Sequence, residues 1–481
     1  MRGGQGGGRR TRGRRRGGPQ GRRARRPLGR GGRPRMTGPD VDGVDEALAL
    51  VGTAPARPAA PGPRGAGWAR AREVAARQGR ATPARARRVP LADALGGVLA
   101  APLTALTDLP PFDTSAMDGW AVGGPGPWEI RSGDSVLAGH GEAPALADGT
   151  AVRIATGARV PTGTTAVIRS EHARTGPDRE RARTGEGGGH LYARGDVLPG
   201  QDIRPRAQEC RTGDELLAAG TAVTPAVLGL AAAAGYDELL TVERPRVEVL
   251  VLGDELLTSG VPHDGLVRDA LGPMLAPWLR ALGADVVAVR RIGDDAEALR
   301  AAVTGADADL VVTTGGTAAG PVDHVHPVLA AVGAELLVDG VGVRPGHPML
   351  LARLTGPGSP RYVVGLPGNP LAAVSGLLTL AEPLLRGLAG HPAPEPCRVP
   401  LRDAVQGHPR DTRLVPVVHR AGRVVPLHYA GPAMLRGLAA ADGLAVIPPG
   451  GAGPEDDVEI LALPWTAAAS VPTPVQGGCF T

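Results

Sequence analysis

The sequence predicts an α/β protein built around a doubly wound parallel sheet, with a further β region on each side of it along the chain. Three observations support this fold class. Strand-like and helix-like runs alternate from Arg246 to Gly390, short apolar runs separated by turns fill the region from Pro110 to Gly213, and more short strands follow Arg398. Regular alternation of the two element types is typical of a parallel sheet covered by helices.

The amino-terminal segment differs in composition from the rest of the chain. Residues 1–35 contain 14 arginines and no acidic residue, and because the formal net charge of the chain is +5, residues 36–481 carry −9. A Gly/Arg segment cannot bury apolar surface, so we expect residues 1–66 to be a disordered tail and linker. The arginines could neutralise nucleic-acid phosphates. We favour instead an inert extension, or a misassigned translation start, with the true start at Met36. We expect no nucleic-acid partner.

The remaining composition favours a cytoplasmic protein. The three cysteines, Cys210, Cys397 and Cys479, are too few and too widely spaced to predict a disulfide framework or a zinc site. We find neither a secretory signal nor an apolar run as long as a membrane span. All 53 basic residues are arginine, so we expect arginine at positions where relatives carry lysine.

Apolar spacing predicts the individual elements. The run RVEVLVL after Arg246 reads as a buried strand that ends at a Gly-Asp-Glu turn. A proline in the first turn and a glycine stop support a helix at 224–235. The predicted helices cover residues 68–81, 89–103 in part, 224–235, 275–284, 295–303, 325–334 and 369–390.

Unusual residues follow three strands of the predicted sheet. Asp254 and Glu255 end the first strand, TTGGTAAGPVD with Gly315, Gly316 and Asp323 ends the second, and GLPGNP ends the third. Ligands of open parallel sheets bind beyond the carboxyl ends of the strands. Glycine loops let backbone N–H groups approach an anion, and acids beside an anion site favour a bridging divalent metal. A phosphorylated ligand held with Mg²⁺ is therefore predicted, although neither a Walker A nor a GxGxxG motif is present.

The segment PPFDTSAMDGWAV, Pro110 to Val122, resembles the signature of the MoeA family, the molybdopterin molybdenumtransferases, which also form the E domain of gephyrin. The resemblance continues from about Arg70 to Pro464. The other family segments occur in the family's order, namely RIATGARVPTGTTAVIRSE (153–171), GQDIRPR (200–206), GDEL (253–256), GDD (293–295), TTGG with Asp323 downstream, RPGHP (344–348) and GLPGNP (365–370).

The resemblance implies a multidomain α/β fold. Its parts are a molybdopterin-binding domain with the doubly wound parallel sheet, a β domain inserted ahead of it, a small linking domain made of two pieces, and a C-terminal β barrel. On this sequence we predict a tail (1–66), an N-terminal helical and linking segment (67–104), the inserted β domain (105–213), the second linking piece (214–242), the molybdopterin-binding domain (243–392), the β barrel (393–466) and a short tail (467–481).

The implied reaction is the Mg²⁺-dependent insertion of molybdate into adenylylated molybdopterin with release of AMP. Asp118, Glu255, Asp294 and Asp323 would place metal and substrate as the catalytic set, with Glu255 and Asp323 as Mg²⁺ ligands, whereas Asp113 would cap a local turn. Thr156 and Arg204 would contact the anion from the β domain. The substrate pocket would be completed by Gly315, Gly316, Arg344, Pro345, Gly346, His347, Pro367, Gly368 and Asn369.

The resemblance also implies partners. Family members form elongated homodimers, in which the β domain of one chain faces the α/β domain of the other, so Asp118 would point at the ligand of the partner chain. A molybdopterin adenylyltransferase would be a further partner, because it supplies the adenylylated substrate. No membrane partner is expected.

This sequence departs from the family pattern at several positions, and the departures leave a second function open. The chain could be a diverged, non-catalytic paralogue that binds molybdopterin or a protein partner as a scaffold or regulator. The sequence also leaves open whether tungstate replaces molybdate and which molybdoenzyme receives the product. The departures are Ala207, Gln208 and Glu209 for Gly-Glu-Asp, Ala270 and Leu271 for Ser-Asn, Ala318 for Ser, and Gly340, Arg344 and His347 for Lys.

Overall fold

The computed structural model describes residues 65–139, 145–177, 189–318, 320, 323–356 and 358–466. The predicted tail over residues 1–66 falls almost wholly outside this range, and the predicted tail over residues 467–481 lies outside it. The predicted α/β fold class is confirmed, because the described residues contain both a helix-covered sheet and separate β regions.

The central sheet of the described residues has six strands. The first four in spatial order are parallel, and the last two are antiparallel to their neighbours. Leu350–Leu354, which the sequence analysis did not predict as a strand, therefore runs in the opposite direction to the four parallel strands. In spatial order the strands are Asp285–Ile292, Arg246–Leu252, Leu310–Thr314, Arg361–Leu366, Leu350–Leu354 and Glu335–Asp339.

Helices cover both faces of the central sheet, which makes it doubly wound. Alternate residues of one strand point to opposite faces, so Val249 and Val251 enter one core while Leu250 enters the other. The first core contains the helices Trp68–Ala81, Leu271–Ala281, Pro370–Gly376 and Glu382–Leu388. The second core contains the helices Ala296–Gly305 and Val325–Ala331.

The sequence analysis found no apolar run as long as a membrane span, and the helical segment from Pro370 to Leu388 contradicts this. It is 19 residues long with a mean hydropathy of 1.3, long and apolar enough to cross a membrane by length and composition, although no such run was identified from the sequence. In the structure 83% of it is buried inside the protein, as expected for a core helix. Its middle part, Leu377–Ala381, is a π-helical turn, and Trp68 Nε1 donates to Thr379 Oγ1 at 3.1 Å beside it.

A separate six-stranded sheet forms within the part of the predicted β domain that the structure describes. Its two apolar faces pack into two small cores, one around Trp120 and Trp128 and one around Val152 and Val167. The strands in spatial order are Ala166–Arg169, Gly119–Val122, Thr150–Ile154, Trp128–Val136, Gly189–Ala193 and Ala173–Pro177.

Two pieces of chain on either side of this β sheet pair with each other. Ala86–Pro90 pairs with Glu238–Val242, Leu103–Thr104 pairs with Glu215–Leu217, and the helix Pro225–Ala233 packs on them. The helix predicted within residues 89–103 is wrong, because only the single 3₁₀ turn Leu91–Asp93 forms there. Gly96, with φ +73°, stops any continuation of this turn.

The carboxyl-terminal strands close into a barrel. Thr412–Arg420 pairs on both sides, with Arg423–Pro426 and with Gly443–Ile447, and a bridge between Leu401 and Val424 completes the ring. The remaining strands of this sheet are Asp457–Ala462, Cys397–Pro400, Val341–Arg344 and Ala66–Gly67. Short elements elsewhere are the strands Thr114–Ser115, Ile203–Arg204, Leu256–Leu257, Val267–Arg268, Val405–Gln406 and Gly451–Ala452, the 3₁₀ turn Ser170–His172 and the helix Arg436–Ala439.

Candidate functional site

Four loops with predicted site residues lie side by side at one edge of the central sheet. The four parallel strands end at Ile292, Leu252, Thr314 and Leu366, and because they are parallel, all four ends lie at the carboxyl edge. Neighbouring strands are about 4.8 Å apart. The structure thus brings Asp294, Glu255, the Gly315–Gly316 pair and Asn369 to adjacent loops.

The acidic half of this edge carries uncompensated charge. The Asp254 carboxylate lies against Gly293 of the next loop, and the Glu255 carboxylate lies over Gly253. Asp295 is used locally, since its side chain accepts from the N–H groups of Glu297 and Ala298 and caps a helix. Asp254, Glu255 and Asp294 are exposed, and their side chains make no hydrogen bond or ion pair with any residue that the structure describes.

The glycine loop after the third strand depends on its two glycines. Gly315 and Gly316 have φ values of +80° and +66°, a left-handed conformation that side chains with a Cβ rarely adopt. Asp323 further along the chain is half-buried, and Asp323 Oδ2 accepts from the Gly320 N–H at 2.5 Å. Asp323 is therefore held at the edge of the sheet with its second carboxylate oxygen uncommitted among the described residues.

The loop after the fourth strand meets the carboxyl-terminal region. Gly368 contacts Gly315 of the neighbouring loop, and Pro367 is buried. The first amides of the following helix are occupied, because the Leu371 and Ala372 N–H groups donate to the Pro432 carbonyl at 2.8 and 3.2 Å. These two amides are not available to an anion. A ligand at this strand end would have to contact the loop over residues 367–369 instead of the start of the helix.

The RPGHP loop leads into the antiparallel strand that starts at Leu350, and therefore lies at the same edge. Pro345 and Gly346 are buried against the helix after Asn369, while Arg344 and His347 are exposed. The His347 ring nitrogen Nδ1 lies 2.7 Å from the Val341 carbonyl, so Nδ1 donates, and Nε2 makes no hydrogen bond with the described residues. Arg344 Nε donates to Asp411 Oδ2 at 2.9 Å.

The β domain contributes a second group around Asp118. Asp118 Oδ1 accepts from both the Thr156 N–H at 2.7 Å and the Thr156 hydroxyl at 2.9 Å. The backbone N–H of Thr156, and next its hydroxyl, lower the pKa of the Asp118 carboxyl. Thr156 thus uses its donors on Asp118, and its predicted contact with an anion stays a prediction.

Structural contacts that the sequence analysis missed support the Asp118 group. Arg169 and Asp202 form a two-pronged ion pair, with both N–O distances 2.9 Å. The pair ties the strand Ala166–Arg169, which lies beside the strand that follows Asp118, to the GQDIRPR segment. Asp113 accepts from the Arg206 N–H at 2.7 Å. Because these residues are 93 positions apart, Asp113 joins two segments, and the local turn cap predicted for it is wrong. The Arg204 side chain is exposed and makes no hydrogen bond or ion pair with the described residues, so its guanidinium could bind an anion.

Asp269 was also missed, and it holds the start of the helix Leu271–Ala281, next to a departure from the family pattern. Ala270 and Leu271 bring no side-chain donor or acceptor to the start of the following helix. Asp269 Oδ1 instead accepts from the N–H groups of Leu271 and Gly272, at 3.0 and 2.9 Å, and Arg291 donates to its other oxygen. An Asp directly before Ala-Leu is the sequence signal that could have predicted this cap.

The two groups of site residues remain separate within one chain. No hydrogen bond or ion pair among the described residues joins the Asp118 group to the loops at the sheet edge. In the same part of the chain, no group of three or more His, Cys, Asp or Glu side chains is placed to hold a metal ion. We refer to the two groups as half-sites, one acidic and glycine-rich at the sheet edge, the other built around Asp118.

Three family models match the chain in sequence order. The MoeA N-terminal region (domain I and II) matches residues 67–235, the probable molybdopterin binding domain matches residues 248–387, and the MoeA C-terminal region (domain IV) matches residues 398–463. The matched segments contain both half-sites.

Individual relatives and solved structures are also similar to this chain over most of its length. The chain is 36% identical over 398 residues to molybdopterin molybdenumtransferase 2 from Mycobacterium tuberculosis, covering 78% of this chain and 92% of the relative. It is 31% identical over 390 residues to molybdopterin molybdenumtransferase from Nostoc, covering 77% and 87%. Among solved structures, a molybdopterin biosynthesis MoeA protein from Pyrococcus horikoshii aligns with a TM-score of 0.66 at 26% identity, covering 83% of this chain and 99% of that one.

Proposed function

Because the chain belongs to the MoeA family of molybdopterin molybdenumtransferases, we propose that it is the transferase that inserts molybdenum into molybdopterin during molybdenum cofactor biosynthesis. The substrates in this proposal are molybdate and adenylylated molybdopterin, and AMP is released. The observation that carries it is the carboxyl edge of the central sheet, where exposed acids and a left-handed glycine loop occupy adjacent strand ends.

Each half of the edge suits a different part of such a substrate. The Gly315–Gly316 loop and the Gly368 loop touch each other, and Gly368 is exposed. A glycine surface of this kind lets a pterin and its phosphate approach the backbone closely. Asp254, Glu255 and Asp294 carry negative charge without an ion-pair partner in the described chain. Such acids would repel a phosphate unless a cation lies between them.

Mg²⁺ fits this donor set. Mg²⁺ is usually bound by one or two protein carboxylates together with substrate phosphates, rather than by an all-protein cage. Glu255 and Asp323, the second with one oxygen already fixed by Gly320, are the residues that would hold it. When bound, the ion would neutralise charge on the phosphates and the leaving AMP.

The Asp118 half-site would complete the cleft from a second subunit. Asp118 is held by Thr156 and exposed, and no described contact connects it to the sheet edge of its own chain. We therefore propose a homodimer with two equivalent clefts, each using Asp118 of one subunit and Asp323 of the other. A cytoplasmic molybdopterin adenylyltransferase would supply the adenylylated substrate.

Reconstitution with purified components tests the proposed function. The protein is mixed with adenylylated molybdopterin, Mg²⁺ and molybdate, and both AMP release and activation of a cofactor-free molybdoenzyme are measured. We expect AMP release that requires molybdate and Mg²⁺, and that is lost in Asp323→Asn. Tight pterin binding without AMP release or cofactor formation would instead identify a non-catalytic scaffold, and tungstate in place of molybdate tests the metal preference.

A further inference from the structure

The strand that carries Arg344 belongs to the carboxyl-terminal sheet rather than to the central one. The chain leaves the central sheet at Asp339, pairs as Val341–Arg344 with the strand Thr412–Arg420, and returns to the central sheet at Leu350. Val343 lies opposite Thr412 in this pairing. The position of Arg344 at the substrate edge is thus set by residues from the carboxyl-terminal region.

Asp411 fixes the guanidinium of Arg344 through one nitrogen only. Nε donates to Asp411 Oδ2 at 2.9 Å, while the two terminal nitrogens make no hydrogen bond with the residues that the structure describes. Asp411 is itself anchored, since its N–H donates to His408 Nδ1 at 3.0 Å. The Asp411 side chain is 18% exposed and that of Arg344 is 48% exposed, so the pair has a fixed inner end and an open outer end.

We propose that Asp411 is a positioning residue, which holds Arg344 so that its two terminal nitrogens bind a tetrahedral oxyanion of the substrate, either molybdate or a phosphate group. This inference rests on the proposed function. A guanidinium has donors for both tasks, because Nε can meet a carboxylate while the terminal pair forks onto an oxyanion. The carboxyl-terminal barrel then contributes to substrate binding without touching the substrate.

Arginine, which this chain uses at every basic position, suits this arrangement better than the lysine that the family carries here. A lysine has a single ammonium group at the end of a flexible stem. It could pair with Asp411 or with the oxyanion, but it could not present a fork to the oxyanion while Asp411 fixes its orientation. Only arginine at position 344 can therefore bind Asp411 and present a fork to the oxyanion at the same time.

Binding of two separate probes, molybdate and AMP, tests the proposal by calorimetry on the full chain. For the probe that contacts Arg344 we expect Asp411→Ala to weaken binding about tenfold and Asp411→Asn, which keeps an acceptor for Nε, to restore most of it. Arg344→Ala should weaken binding at least as much, and Asp411→Ala should add nothing in that background. Insertion activity should show a higher KM with a smaller change in kcat.

The matched control is Asp403→Ala, which removes an exposed carboxylate paired with Arg402 in the same region and should leave binding unchanged. Equal thermal midpoints for the Asp411 variants exclude loss of folding. Unchanged or tighter binding in Asp411→Ala, an additive effect in the double variant, or a wild-type protein that binds neither probe would each overturn the inference. If the Asp411 and Arg344 variants bind the probes as expected but the protein has no insertion activity, only the proposed function is refuted.

Discussion

Thr156 donates twice to one oxygen of Asp118, through its backbone N–H at 2.7 Å and its hydroxyl at 2.9 Å. Both donors favour the charged carboxylate and lower its pKa, with the backbone N–H as the larger cause. Asp118 is therefore held in one orientation as an anion on an exposed loop. Its second oxygen has no partner among the described residues, and in the proposed dimer it is the atom that would face the substrate.

Removing the Thr156 hydroxyl should raise the pKa of Asp118 without restoring its ordinary value. Thr156→Val deletes the weaker donor and keeps the backbone N–H, so we expect an intermediate pKa in a carboxyl-carbon NMR titration. A lowered pKa stabilises the folded state above the unfolded pKa, and this stabilisation is lost as pH falls through the folded pKa. Thr150→Val, whose hydroxyl donates to Ala147 instead, is the control. An unshifted Asp118 titration in Thr156→Val would contradict the assigned geometry.

The Asp108 carboxylate should contribute to the loss of folding stability at acid pH. Its pKa is lowered to about 2, first by the Thr212 N–H, then by Arg206 and by the Thr212 hydroxyl. The stabilisation is thus fully present above about pH 4 and is lost as pH falls towards about 2. We expect Asp108→Asn to flatten the decline of the free energy of unfolding over this range, measured in urea at a series of pH values. Asp93→Asn, which alters an exposed carboxylate, is the control, and parallel curves for wild type and Asp108→Asn would refute the prediction.

Two glycine-to-alanine changes should have opposite effects on stability. Gly79 of the helix Trp68–Ala81 packs against the backbone of Leu384 and Gly387, where a Cβ would collide. Overpacking of this kind costs about 1–3 kcal/mol. Gly229 is exposed in the helix Pro225–Ala233 with nothing within 4 Å of its Cβ position, so Gly229→Ala should stabilise by about 1 kcal/mol. Thermal unfolding should therefore give a lower midpoint for Gly79→Ala and a higher one for Gly229→Ala, and a shift in the same direction for both would contradict this packing.

The sequence could predict those features that depend on residues close together in the chain. The helix Trp68–Ala81 was predicted from its composition, and the strand Arg246–Leu252 from its apolar run and the Gly-Asp-Glu turn after it, all of which are local features. The acids and glycines of the sheet edge followed from the rule that strand ends carry ligand sites. The strand Leu350–Leu354 was missed because its apolar run after a Pro-rich loop has no clear period, and only pairing with Arg361–Leu366 makes it a strand. The contact between Arg344 and Asp411 joins positions 67 residues apart and depends on barrel pairing, which no local pattern encodes.

Asp118 and Asp323 should lie on opposite walls of one cleft between two subunits. Asp118→Ala and Asp323→Ala chains should each be inactive alone, because every cleft of either homodimer lacks one wall. In a heterodimer of the two variants, twofold symmetry leaves one cleft with both aspartates and one with neither. We therefore expect purified heterodimers, made with two different affinity tags, to recover about half of the wild-type AMP release per dimer. Heterodimers of Asp118→Ala with a chain that carries both substitutions should stay inactive and serve as the control. A fully active monomer, or no recovery in verified heterodimers, would show that each chain completes its own site.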